Sequence, residues 1–125
     1  MYLRMFSILC GVLLHAAAAS AGEPPRSARI VTSSDDLQLS KSDHTIGLKR
    51  TTKPQRRTIV ILPPDAEPDQ EFVVDDLACN FNRMPVTVTA PDHQAIFEKR
   101  TFVLNGDCGS VAFRYFGNGT WGAEQ

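Results

Sequence analysis

Five cations, Lys49, Arg50, Lys53, Arg56 and Arg57, fall within nine residues with no acid among them. Ammonium and guanidinium groups at this density hold phosphate or sulfate, and at an exposed loop they fit the acidic glycans of a cell envelope, lipopolysaccharide included. The plainer reading is a solvated loop whose charge offsets the acids that follow it. Tyr115, Phe116 and Trp121 add aromatic rings that can stack on a sugar or, on the plainer reading, pack the core and cap its end. Both readings of each group stay open from sequence alone.

Other reactive types lack the company that chemistry requires. His44 and His93 each follow an aspartate, Asp43 and Asp92. A general base needs an orienting group and a nucleophile beside it, and the sequence places no serine or cysteine as a nucleophile for either pair. No catalytic residue is therefore assigned. Asp65, Glu67, Asp69, Glu71, Asp75 and Asp76 cluster in sequence but have neither the spacing nor the central glycine of a calcium loop. They read as a solvated acidic face, with no metal or cofactor expected. Asn118-Gly119-Thr120 matches a glycosylation acceptor, which has meaning only in a eukaryotic secretory pathway.

Residues 1–21 combine a basic start at Arg4, an apolar stretch from Met5 to Leu14, and Ala19-Ser20-Ala21 before Gly22. That order is the pattern of a cleaved secretory signal, and the apolar stretch is too short for a membrane span. The expected location is secreted or periplasmic. Cys10 leaves with the signal. Cys79 and Cys108 remain, an even pair in an oxidising compartment, and are expected to form one disulfide. The net charge of −1 gives no general affinity for nucleic acid.

The remaining segments are punctuated as strands. Residues 44–50, 58–62, 71–75, 86–89, 101–104 and 110–116 are rich in β-branched and aromatic residues and are separated by Gly, Pro, Asn and Asp clusters. Residues 22–42 are expected as a flexible leader and 43–125 as a small antiparallel β-sandwich. The basic run would then sit at the tip of a hairpin joining 44–50 to 58–62. Residues 59–62 and 72–74 are apolar on both strand faces, so a second covering layer is expected, either the opposite sheet or a subunit interface.

The order Asp43-His44-Thr45-Ile46, Thr58 to Pro63, Glu71 to Asp76, Pro85 to Val88, Thr101 to Leu104, Gly109 to Tyr115 and Gly119-Thr120-Trp121 resembles the small β modules near the carboxy termini of phage tail-fibre and tail-spike proteins. The resemblance covers roughly residues 43–122. It implies a mostly β unit that assembles as a homotrimer and supports attachment to cell surfaces. The function expected is therefore an exported, non-enzymatic domain that binds or builds at a surface, with an acidic glycan or a protein as partner. The alternative is a small periplasmic inhibitor or protective protein acting on a partner hydrolase.

Overall fold

The computed structural model describes residues 27–125. The signal segment and the first part of the expected leader lie outside the described residues. Within them the chain is all-β, with ten strands and no helix: β1 (Ser27–Val31), β2 (Leu37–Gln38), β3 (Asp43–Leu48), β4 (Thr58–Ile61), β5 (Glu71–Asp76), β6 (Val86–Thr89), β7 (Ala95–Ile96), β8 (Thr101–Leu104), β9 (Ser110–Gly117) and β10 (Thr120–Glu124). No helix among these residues is long and apolar enough to cross a membrane.

The strands form two mixed sheets, ordered β1-β3-β5-β9-β10-β7 and β2-β4-β6-β8. From β1 to β6 the chain alternates between sheets, and each strand runs parallel to the one two places earlier. This is a solenoid-like winding, in which the crossover between two parallel strands contains a strand of the other sheet. The last strands reverse direction, with β8 antiparallel to β6, β9 antiparallel to β5 and β10 antiparallel to β9.

This arrangement corrects the expected antiparallel sandwich. β3 and β4 do not pair, so residues 49–57 are a crossover between sheets and not a hairpin tip. Runs of Val and Ile favour strand in either setting; partner and direction are set by contacts distant in the chain, which local pattern does not carry. The leader boundary also moves. β1 pairs with β3, β2 pairs with β4, and Leu39 is buried in the core. Arg29 reaches from β1 to both carboxylate oxygens of Asp43 at 3.0 and 3.1 Å. Short edge strands among Ser and Asp give little sequence signal, because their pairing comes from a neighbour and not from their own burial.

The core joins both sheets through Ile46, Val60, Phe72, Val74, Val88, Phe113 and Trp121. β4, β5 and β6 each alternate between buried and half-buried positions. Ile59 and Ile61, which give β4 its two-sided apolar character, therefore lie half-buried on the outward side. Phe72 meets Trp121 at 5.8 Å between ring centres, and Phe102 meets Phe113 edge-on at 5.6 Å. Edge contacts of this kind let the positive rim of one ring face the negative face of another.

Cys79 and Cys108 are bonded, 29 residues apart, joining the loop after β5 to the loop before β9. Closing a loop of that length stabilises a fold by about 3–4 kcal/mol when the constraint acts on the unfolded chain. Replacing both cysteines by serine is expected to lower unfolding free energy by that order in urea titrations. An unchanged midpoint would show that the loops are held without it.

Candidate basic groove

The register aligns Val31 with Leu48, Leu48 with Asp76, and Asp75 with Ser110. The crossovers 49–57 and 77–85 therefore leave neighbouring strands side by side at one end of the molecule. Between them lies a groove of about 250 Å³. Lys53, Arg56 and Arg57 line it from the first crossover and Arg83 from the second, with Pro54, Met84 and Pro85 supplying apolar wall.

Each wall is built from buried polar contacts. Asp76, at the end of β5, is almost fully buried. Its carboxylate accepts from the backbone N–H of Asn80 at 3.1 Å, and from those of Phe81 and Cys108 at 3.0 Å each. Three amides on one carboxylate satisfy donors that would otherwise be stranded where the chain turns away from the sheet. Leu77 folds back over β3, taking the space that a Cβ on Gly47 would occupy. The N–H groups of Arg83 and Met84 then donate to the Asn80 carbonyl at 3.1 and 2.8 Å, closing the turn that presents Arg83.

Arg50 connects the walls. Its side chain is fully buried, donating through Nη1 to Thr58 Oγ1 at 3.0 Å and through Nη2 to the Met84 carbonyl. Its guanidinium lies 5.3 Å from the centre of the Phe81 ring, and its own carbonyl accepts from Asn80 Nδ2 at 2.8 Å. Burial pushes the Arg50 pKa down, while attraction to Asp76 works in the opposite direction. Arg50 Nε and Asn80 Oδ1 are buried without a hydrogen-bond partner among the described residues. Arg56 makes an exposed pair with Asp36, 2.8 Å from Nη2 to Oδ2. That pair and the Ile59 N–H hold the Asp36 carboxyl below its ordinary pKa.

The five cations of the basic run thus have different fates. Lys53, Arg56 and Arg57 face the groove, whereas Lys49 is exposed beside β1, its N–H donating to the Val31 carbonyl at 2.9 Å. Arg50 is an internal strut and not a surface ligand, because the chain turns at the end of β3 and aims its side chain between the crossovers. Arg83 completes the groove, and sequence reasoning passed over it as a lone cation in a turn cluster. Only long-range packing brings it beside Arg56 and Arg57.

Of the aromatic residues singled out in the sequence, Trp121 and Tyr115 are not a surface platform, whereas Phe116 is exposed. Trp121 is fully buried, with its indole N–H donating to Gln94 Oε1 at 2.7 Å. Tyr115 is half-buried, its ring 5.0 Å from that of Trp121 and its hydroxyl accepting from the Gly119 N–H at 2.9 Å. A register shift between Thr120 and Trp121 resets which side chains face inward. A bulge of this kind cannot be read from strand alternation.

The acidic stretch and the histidines likewise divide. Asp76 is structural, and Glu71 pairs with Arg114 at 3.0 Å and lies 3.7 Å from His44 Nε2. Neither belongs to a solvated face. Asp43 binds Arg29 and the Ser40 N–H, while His44 Nδ1 lies 2.9 Å from Thr45 Oγ1. Among the described residues no group of three or more His, Cys, Asp or Glu could hold a metal ion.

No protein-family model matches this chain, and no curated protein matches it in sequence.

The different roles of neighbouring arginines are measurable. Arg50→Ala is expected to destabilise the domain by about 2–3 kcal/mol, since it takes a donor from the Met84 carbonyl and from the buried Thr58 hydroxyl and removes packed stem. Arg57→Ser should change stability by less than about 0.5 kcal/mol. Urea unfolding of both variants checks the contrast; equal effects would contradict it.

Proposed function

We propose that the protein is an exported, non-enzymatic surface-binding β domain that grips the phosphate or sulfate groups of an acidic envelope glycan in the basic groove. The observation that carries this reading is the convergence of Lys53, Arg56, Arg57 and Arg83 on one groove whose lining contains no acid. Clustered cations on low-dielectric walls concentrate anions, and guanidinium forks match the geometry of phosphate and sulfate oxygens. The apolar wall of Pro54, Met84 and Pro85 complements this, since a charged sugar presents C–H surface beside its anionic groups.

The Cys79–Cys108 bond supports the export reading, because such bonds persist in oxidising compartments. Attachment at a cell or virion surface, as the tail-fibre resemblance implies, is a role such a groove would serve. Arg50 and Asp76 act as positioning residues here, holding the two crossovers at a fixed separation so that little ordering is left for the ligand to impose.

Binding to immobilised heparin and to lipopolysaccharide tests the proposal. The double variant Arg57→Ser/Arg83→Ser is expected to keep its melting temperature and to lose about tenfold or more in affinity at low salt, with a shallower salt dependence than the parent. Retention of full affinity by the folded double variant would overturn the assignment.

A further inference from the structure

A second surface, at the opposite end of the strands, points to a different ligand chemistry. β5 runs away from Glu71, which pairs with Arg114, toward Asp75, which pairs with Ser110. The groove follows Asp76, whereas Phe116 lies beyond Arg114 at the far end. There Phe97 and Phe116 are 55% and 56% exposed. Both rings converge on Gly122: a Cβ at that position would lie 2.6 Å from Phe116 Cε2 and 3.6 Å from Phe97 Cε1. The glycine lets the two rings lie down beside each other over the strand.

The backbone holding Phe97 is unusual. Ile96 and Lys99 close a two-residue turn by exchanging hydrogen bonds of 2.6 and 3.0 Å, and the Phe97 N–H donates to the Trp121 carbonyl at 3.1 Å. The two central residues, Phe97 and Glu98, have φ of 49° and 70°. Positive φ at both positions defines a type I′ turn, which favours Asn and Gly and is unfavourable for side chains such as these. A bulky ring kept in that conformation, fixed by three backbone bonds and still more than half exposed, is a local strain of the kind associated with function.

We infer that Phe97 and Phe116 form a stacking platform for a neutral pyranose ring, a subsite that rests on the glycan-binding reading but uses another surface. The size of the patch selects the occupant. A Phe side chain buries roughly 150–250 Å² in full, so two rings about half exposed offer on the order of 200 Å², far below the ~800 Å² per partner of a stable protein interface. One sugar ring fits that area, its axial C–H face against the phenyl faces. Asn118, in the turn between β9 and β10, and Thr120, at the start of β10, are both exposed and supply polar groups for hydroxyls.

Titration of the intact domain with β-1,4-linked hexamers of glucose and of N-acetylglucosamine, followed through the aromatic NMR signals, tests this. Millimolar oligosaccharide is expected to shift the Phe97 and Phe116 ring resonances with little dependence on salt. Phe97→Asn should abolish the remaining shift, that of the Phe116 ring, without lowering the melting temperature, since asparagine suits the turn. Glu98→Gly should raise the melting temperature and leave binding in place. Ring signals that ignore both oligosaccharides, or that move instead with protein concentration as a contact between copies, would overturn the inference. A marked fall in melting temperature for Phe97→Asn would do so too, because the ring would then be a structural cover for Gly122. Arg57→Ser/Arg83→Ser should bind the neutral hexamers like the parent, which separates failure of this subsite from failure of the basic groove.

Discussion

The carboxylate of Asp76 holds together the end of the molecule that carries the basic groove. A solenoid-like winding must turn its chain out of one sheet and into the other at every crossover, and each turn leaves amides without ladder partners. At the end of β5 the three amides of Asn80, Phe81 and Cys108 all converge on one buried side chain. Two of them belong to the crossover and the third to the returning loop before β9. One acid thus ties together segments separated by nearly thirty residues, beside the disulfide that joins the same two loops. Placing it at the last position of β5 makes it the point where sheet geometry is converted into loop geometry.

From that point the groove is built in sequence. The Asp76-held turn fixes Asn80, whose side chain donates to the Arg50 carbonyl. Arg50 reaches back across the gap to the carbonyl of Met84 and to Thr58 at the start of β4. Thr58 in turn donates to the Ser34 carbonyl, bringing in the connection before β2. The surface cations are carried on this frame and contribute little to it. Such a division suits the proposed binding: the buried charges give a fixed separation between walls, and at the surface Lys53, Arg57 and Arg83 can exchange water for ligand oxygens, while Arg56 would do so in competition with Asp36.

Much of the framework was legible in the sequence for local reasons. Six strands follow from β-branched and aromatic runs bounded by turn residues, and the disulfide follows from the two cysteines that remain once the expected export signal is set aside. What escaped the sequence is what depends on distant partners. Residues 49–57 look the same whether they close a hairpin or cross between sheets. β1 and β2 are strands because β3 and β4 present open edges to them. Arg50 and Arg57 are chemically identical, and only the turn at the end of β3 sends one inward and leaves the other outside. Trp121 reads as either a core ring or a stacking ring until the register shift before it is known, while Phe97 draws no notice until its backbone is seen. Arg83 has no local companion at all and enters the groove only through packing.

A fixed pair of crossovers is proposed to form one anion-binding groove, and backbone amide NMR during titration with a fully sulfated oligosaccharide is the decisive measurement. Shifts are expected to concentrate in residues 53–57 and 82–84, with the amides of Asn80, Phe81 and Cys108 retaining slow hydrogen exchange throughout. Shifts spread across other charged surfaces, or loss of protection at those three amides on binding, would contradict it.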